Sequence, residues 1–249
     1  MNPPGNILTN LRRELKKHSD PAYSRGSVNF FKEPIKLYGV RANLLKKITD
    51  RYWGEIKNLT KTQKLKIIEQ LFQSNYNEEF SIGADWLYRL KNQLVKNDFP
   101  LLERWLKNHI TNWAMCDDYC THPLGFLIYR YPELIQQTKI WAKAKNRWLK
   151  RAAAVVHIHP TKQGSPFKKD ILPNKNGYLK TVFQIANLLR GDADDLVQKG
   201  YGWMLKEAAN LFPKEIFGYV LKNKAKMSRT ALRYAIEKLP ISWKNKAMK

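Results

Sequence analysis

Apolar residues recur along most of this chain at the three- and four-residue spacing of an amphipathic α-helix. In the first segment of this kind, Ile7, Leu11 and Leu15 fall on one helical face. Further helical segments are predicted around residues 44–48, 65–72, 82–94, 102–109, 112–129, 132–144, 147–158, 178–190, 192–210, 213–223 and 228–238. Few segments alternate between apolar and polar residues as a half-buried strand does. The pattern therefore predicts an all-α protein of roughly ten helices.

Three stretches depart from this helical pattern. Residues 152–158 are apolar enough for a short strand, or for a helix that is buried on most sides. Residues 160–177 are predicted to form a long loop. Residues 21–34 make a poor helix, since Gly26 and Pro34 interrupt them and proline costs ~3 kcal/mol inside a helix.

The predicted helices pair at a spacing of very roughly 35–45 residues, which is typical of helical solenoids of the HEAT type. Each pair buries its apolar face against its neighbours, and the stack curves. A concave surface rich in Lys and Arg would accommodate a duplex. Because no long charged or Ser-rich linker interrupts the helices, we expect a single domain over residues 1–249.

The net charge of the chain indicates what kind of molecule it binds. The chain has 45 Lys and Arg against 21 Asp and Glu, a formal net charge of +24. Such an excess favours a polyanion, with nucleic acid first and an anionic membrane surface second. The alternative is a basic surface that serves only solubility. With neither a spanning apolar segment nor a signal peptide in view, the sequence predicts a cytoplasmic protein.

Trp113 and Asp117 are four residues apart in a predicted helix and so share one face. A partly exposed indole offers an apolar platform for a sugar or a base. A neighbouring carboxylate can stabilise a developing sugar cation or orient a water molecule. The alternative is a core tryptophan beside an aspartate that caps a helix or forms a salt bridge.

Two further segments carry candidate binding groups. Gly200 and Gly202 come just before Trp203, and small residues there permit a close approach of a ligand or of another helix. The segment 147–151 begins a predicted helix and holds three cations suited to phosphate contacts, or simply forms a solvated basic face. The three cations are Arg147, Lys150 and Arg151.

A zinc site is a weaker hypothesis. Cys116, Cys120 and His122, with His157 and His159, are potential ligands. The spacing Cys-x-x-x-Cys is not that of a standard zinc finger, and there is no second cysteine pair. The two histidines are expected to end a helix near a proline, and neither cysteine is proposed as a nucleophile.

Several motifs together resemble the AlkD-like family of alkylpurine DNA glycosylases, whose fold is HEAT-like. They are Trp113-x-x-x-Asp117, Trp-Leu-x-Arg-Ala-Ala at 148–153, Gly-Trp-x-Leu-x-Glu at 202–207, the turn at 37–41 and the helix at 227–233. The resemblance covers nearly the whole chain, and three of these motifs occur in matching order and separation.

The resemblance implies a role for individual residues. Asp117 would be the catalytic carboxylate, and Trp113 and Trp203 would pack against the deoxyribose and the lesion nucleotide. Arg151 would contact the DNA backbone near the lesion. The family acts on N3- and N7-alkylated purines in duplex DNA without a metal and without enclosing a flipped base, so neither cofactor nor metal is expected.

The chain departs from the family pattern in its second helix. The family places a tyrosine there that reaches the lesion strand, and the aligned residue is Phe30, which lacks the hydroxyl. The surrounding residues 21–34 are the poor helix noted above. Phe30 and its neighbour Phe31 therefore form either a wedge in a loop or part of the core.

The leading hypothesis is a monofunctional DNA glycosylase that acts on double-stranded DNA as a monomer. The alternative is a non-catalytic HEAT-like protein that binds distorted or branched DNA, which the irregular residues 21–34 favour. A solenoid for protein interaction is a third hypothesis, and the charge of the chain disfavours it.

Overall fold

The protein is all-helical in a computed structural model that describes residues 4–162 and 164–249. Within these residues there is no strand, and a single isolated bridge joins Lys36 to Tyr76. The all-α prediction is confirmed. The helices are α1 (Pro4–Lys17), α2 (Pro21–Val28), α3 (Ala42–Ile56), α4 (Lys61–Gln73), α5 (Asn77–Arg89), α6 (Phe99–His109), α7 (Trp113–Tyr119), α8 (Gly125–Arg130), α9 (Ile135–Trp141), α10 (Arg147–Val155), α11 (Lys168–Ile171), α12 (Lys175–Leu189), α13 (Asp195–Ala209), α14 (Pro213–Asn223), α15 (Arg229–Ile236) and α16 (Ile241–Met248).

The chain divides into two compact units, unit 1 (Met1–Asp118) and unit 2 (Tyr119–Lys249). The expectation of a single domain stays a prediction. Of the helices in the described part of the chain, none combines the length and the apolarity that a bilayer-spanning helix requires.

Unit 1 is built on packing of α1 and α5 against α3, and of α5 and α6 against α4. The face predicted for α1 is its buried face, since Leu11 and Leu15 are completely enclosed. Trp86 of α5 is equally enclosed, and its indole N–H donates to the carbonyl of Thr49 in α3 at 3.1 Å. The bond from Trp86 joins the C-terminal half of α5 to α3.

Unit 2 has two packed layers of helices. In one layer α10, α13 and α15 lie side by side, and α13 contacts both of its neighbours closely. In the other layer α12 packs on α10 and α13, while α14 packs on α13 and α15 and is covered by α16. The central helix α13 is thereby packed against helices of both layers, and its Val197, Tyr201, Met204 and Leu205 are fully buried.

Residues 21–34 are more regular than expected. Residues 21–28 form α2, because the Asp20 side chain caps the helix by accepting the N–H of Tyr23 at 2.9 Å. Pro21 fits the first turn, where a backbone N–H would have no acceptor within the helix. Gly26 lies inside this helix, which ends before Pro34. No side chain of α2 is buried.

The structure also resolves the other two irregular stretches. Residues 152–158 continue α10 and a 3-10 segment, Val156–Thr161, and are buried throughout, so the buried-helix alternative is correct. The loop predicted for 160–177 is interrupted by α11 and ends early, since α12 begins at Lys175. The pattern missed α16, which follows Pro240.

Candidate functional site

Trp113 is the first residue of α7, Asp117 lies one turn later, and both residues are half-buried. The helix begins here because the buried Asn112 caps it, its Oδ1 accepting the N–H of Met115 at 3.0 Å. The Asn112 amide also donates to Oδ1 of Asn77 at 3.1 Å, which ties α7 to the first residue of α5. Trp113 is therefore a positioned, partly accessible side chain rather than a core residue.

Phe31 covers one face of the Trp113 indole. The two rings are stacked with centroids 5.1 Å apart and planes inclined by 16°. The Trp113 Nε1–H donates to the backbone carbonyl of Phe30 at 3.3 Å. Phe30 itself is 78% exposed, so of the two alternatives for this residue the core is wrong.

The segment after this loop is held by a buried carboxylate. Glu78, in the first turn of α5, is 5% exposed. Its two oxygens accept the backbone N–H groups of Tyr38, Gly39 and Val40 at 3.1, 2.8 and 3.2 Å. Gly39 has φ +85°, and a Cβ there would lie 2.5 Å from a backbone oxygen, so glycine is required at this turn.

Glu79 completes this anchor. It accepts the Tyr38 hydroxyl at 2.7 Å and pairs with the Arg12 guanidinium at 2.9 Å. Burial, and then the hydrogen bond to Glu79, raise the pKa of Tyr38. Nothing in the sequence singles out either glutamate, because acidic residues in the first turn of a helix usually stabilise it by interacting with the helix dipole. Here they bind a segment about 40 residues away instead.

A cleft of about 360 Å³ opens beside Trp113. Its aromatic wall includes Tyr23, Phe30 and Phe31, and its polar groups include Ser81. The Ser81 hydroxyl donates to Asp118 at 3.2 Å. The cleft is thus lined by aromatic side chains together with the candidate Trp113.

Trp203 lies on the solvent-facing side of α13 in unit 2 and is half-buried. Its indole N–H donates to Oε1 of Glu207, one turn later, at 3.2 Å. Lys238 donates to the same carboxylate oxygen at 3.1 Å. The indole is therefore held by its edge, and the accessible part of the ring is apolar.

The two glycines before Trp203 serve helix packing. A Cβ on Gly202 would lie 2.8 Å from Cβ of Tyr234 and 2.9 Å from the carbonyl oxygen of Ala231 in α15. A Cβ on Gly200 would lie 3.2 Å from Cγ of Arg151 in α10. The close-packing interpretation of these glycines is confirmed for both neighbours of α13.

The three cations of α10 differ in accessibility. Arg147 is exposed and pairs with Asp194 at 2.6 Å, and Lys150 is half-buried and pairs with Asp192 at 2.5 Å. Arg151 is only 5% exposed, and its Nη1 donates to the carbonyl of Leu196 at the start of α13. Contact of these three cations with the DNA backbone stays a prediction.

The candidate residues thus fall into two sets. Unit 1 holds Trp113 and Asp117 on one helix, with the backbone carbonyl of Phe30 bonded to the same indole. Unit 2 holds Trp203 and the three cations on the neighbouring helices α13 and α10. A joint action of Asp117 and Trp203 on one nucleotide stays a prediction.

Metal ligation has no candidate within the residues that the structure describes, where no three His, Cys, Asp or Glu side chains are grouped as ligands. Cys116 and Cys120 are buried and not bonded to each other. His157 is also buried, with Tyr129 Oη 2.7 Å from its Nδ1 and Thr138 Oγ1 3.2 Å from its Nε2.

Comparison with known proteins agrees with this fold. A solved structure from Enterococcus faecalis, described as a "Predicted DNA alkylation repair enzyme", matches with a TM-score of 0.70 and 14% identity, covering 90% of this chain and 98% of its own. No match was found among curated proteins. The family model of the DNA alkylation repair enzymes matches residues 11–239. Since that match extends over most of the sequence, the chain belongs to the DNA alkylation repair enzyme family.

Proposed function

We propose that this protein is a DNA glycosylase that hydrolyses the N-glycosidic bond of N3- and N7-alkylated purines in duplex DNA. The observation that carries the proposal is the pair on α7: a half-buried indole one turn from a half-buried carboxylate, on a helix capped and tied to its neighbour. A fixed carboxylate beside an apolar ring face suits a cationic sugar.

The chemistry requires little of the protein. An N3- or N7-alkylated purine already carries positive charge, so the C1′–N9 bond breaks with its electron pair going to the neutral leaving base. The deoxyribose becomes oxocarbenium-like, and water adds at C1′ and loses a proton. Asp117 would stabilise the sugar cation and orient that water, and Trp113 would pack on the deoxyribose. No general acid is needed to protonate the base.

We further propose a HEAT-like repeat with a basic groove as the DNA-binding surface. The two packed layers of unit 2 support this architecture. The net charge of +24 supports a polyanionic ligand. Arg147 is the most accessible of the three proposed phosphate ligands, and at the surface a phosphate can take the place of its partner Asp194. In this proposal Trp203 contacts the lesion nucleotide.

The alternative is a non-catalytic protein for distorted or branched DNA. It is favoured by the stacking of Phe31 on Trp113, which occupies an indole face that a nucleotide would otherwise use. The 78% exposure of Phe30 also suits a side chain that inserts between bases of distorted DNA.

Release of free base from methylated duplex DNA tests the proposal. Asp117→Asn keeps the size of the side chain and removes its charge, so the single-turnover rate should fall on the order of 100-fold, as for loss of other electrostatic groups. Asp118→Asn is the matched control, because Asp118 is bonded to Ser81 and should change the rate by less than about threefold.

DNA binding is measured alongside the rate. Both variants remove one negative charge and should bind DNA at least as tightly as the wild type. If the wild type releases base no faster than Asp117→Asn while both bind duplex DNA, the protein is the non-catalytic binder.

A further inference from the structure

A second cleft, of about 550 Å³, lies between α12 and α14 in unit 2. Arg190, Lys222 and Lys226 line it, and no carboxylate does. Elsewhere on the same two helices a cation is neutralised, since Lys175 pairs with Glu215 at 2.8 Å. The cleft therefore concentrates positive charge that the described residues leave without an acidic partner.

Arg190 is held in the cleft by neutral groups. Its Nη1 donates to Oδ1 of Asn187 at 3.1 Å and to Oδ1 of Asn223 at 2.7 Å. The Tyr219 hydroxyl donates to the same Asn187 oxygen at 3.0 Å. Amide oxygens orient the guanidinium without cancelling its charge, and the Asn187 NH₂ group remains a further donor.

Gly218 in the middle of α14 also belongs to the lining. A Cβ at this position would meet nothing within 4 Å, so packing does not require glycine here. Glycine inside a helix is about 1 kcal/mol less favourable than alanine. Its effect on the structure is to leave open the space that a side chain at this exposed position would take.

The cleft faces the opposite side of α13 from Trp203. Tyr201 of α13 is completely buried, and its hydroxyl lies close enough to Tyr219 and Arg190 for both to affect its pKa, which burial chiefly raises. Trp203 follows two residues later, about 200° around the helix, and reaches solvent. A duplex on the face of Trp203 therefore does not occupy this cleft.

We propose that the cleft between α12 and α14 is a phosphate-binding site, distinct from the surface that carries Trp203. Three cations and the free amide of Asn187, beside the stacked rings of Phe183 and Tyr219, match a phosphate dianion or a phosphodiester. The phosphate comes either from a second segment of nucleic acid or from a free phosphate compound. This site does not depend on the glycosylase activity.

Gly218 makes a sharp test possible, because its side-chain position is open. Gly218→Glu places a carboxylate among the three cations, whereas Gly218→Gln is the uncharged equivalent of the same size. Gly54→Glu is the charge control, since Gly54 lies inside α3, is exposed, and has an equally open Cβ position. All three variants replace a helical glycine and should fold at least as stably as the wild type.

The probe is inorganic pyrophosphate, measured by calorimetry in chloride buffer. We expect Gly218→Glu to weaken its binding at least tenfold, and Gly218→Gln and Gly54→Glu to change it less than twofold. Equal weakening in the two glutamate variants would show a general charge effect and overturn the site. The proposal would also be overturned if Gly218→Glu bound pyrophosphate as tightly as the wild type, or if the wild type bound pyrophosphate no more tightly than chloride.

Competition distinguishes the two sources of phosphate. If a short single strand of DNA displaces pyrophosphate from wild type and from Trp203→Ala alike, the natural ligand is a nucleic-acid backbone. If pyrophosphate stays bound while the strand binds elsewhere, the ligand is a free phosphate compound. Base release by Gly218→Glu on methylated duplex should match the wild type, so failure of either proposal leaves the other standing.

Discussion

Phe31 lies against Trp113 with the two rings nearly parallel, inclined by 16° at a centroid distance of 5.1 Å. In the free protein one face of the indole proposed to contact deoxyribose is thus already occupied. An aromatic pair contributes about 0.5–1.5 kcal/mol beyond its buried area. A nucleotide that needs this face must displace Phe31 at a cost of that order, which DNA binding can readily offset.

Removing Phe31 should therefore tighten binding. We expect Phe31→Ala to increase affinity for a duplex that contains an abasic-site analogue by up to about tenfold, because 1.4 kcal/mol corresponds to a factor of ten. Fluorescence anisotropy with labelled duplex measures this change, and the increase should be smaller for undamaged DNA.

Phe30→Ala is the matched control for this experiment. Phe30 offers only its backbone carbonyl to Trp113, and alanine keeps that carbonyl, so the indole should stay as covered as in the wild type. An affinity increase in Phe30→Ala equal to that in Phe31→Ala, or weaker binding in Phe31→Ala, would contradict the displacement of Phe31.

Glu78 should be essential for holding residues 38–40. Glu78→Gln leaves a single oxygen to accept three N–H groups and removes the charge, so the free energy of unfolding should fall by about 1.5–3 kcal/mol, the contribution of a hydrogen bond to a charged group. Urea titration measures the loss. Glu55→Gln on the exposed side of α3 should change stability by less than about 0.5 kcal/mol.

The helices of the core were predictable because burial and helical spacing depend on the same apolar residues. The face of α1 with Leu11 and Leu15, and the range of α14, followed directly from the spacing. Segment 21–28 was misjudged for the opposite reason. Its helix buries no side chain and depends on the cap at Asp20 and the proline at its first turn.

The candidate site could be predicted only along one helix. A separation of four residues was enough to place Trp113 and Asp117 on one face of α7. The contacts of Phe31 and Glu78 join segments more than 35 residues apart, and no local spacing signals them. The burial of Arg151 also depends on a distant segment, since its side chain packs against Gly200 of α13.

Packing between α13 and α15 should fail if a methyl group is added. Gly202→Ala would bring its Cβ to 2.8 Å from Tyr234 and 2.9 Å from the Ala231 carbonyl, so the helices must separate. We expect a loss of about 1–3 kcal/mol, typical of overpacked interiors. Thermal unfolding measures it, with Gly54→Ala as control, which should instead stabilise by about 0.5–1 kcal/mol. A neutral Gly202→Ala would refute the close packing.

His157 should make the protein less stable in mild acid. Burial lowers the pKa of His157 to about 3, so in the folded protein it stays neutral down to that pH. In the unfolded chain its pKa is about 6.5. Between these values the unfolded state binds the extra proton, so stability is complete above pH 6.5 and falls as the pH drops towards 3. From pH 7 to 5.5 the loss from this group is about 1.3 kcal/mol.

Urea unfolding of His157→Gln at the two pH values isolates this contribution. Glutamine retains polar atoms for Tyr129 and Thr138 but does not titrate, so the variant should be less stable at pH 7 yet lose about 1.3 kcal/mol less than the wild type on acidification. His18→Gln replaces a half-buried histidine of unit 1 and controls for the substitution itself. If His157→Gln keeps the full acid dependence of the wild type, protonation of other groups destabilises the fold. If His157→Gln weakens the acid dependence of stability and His18→Gln does not, protonation of the buried His157 imidazole destabilises the fold.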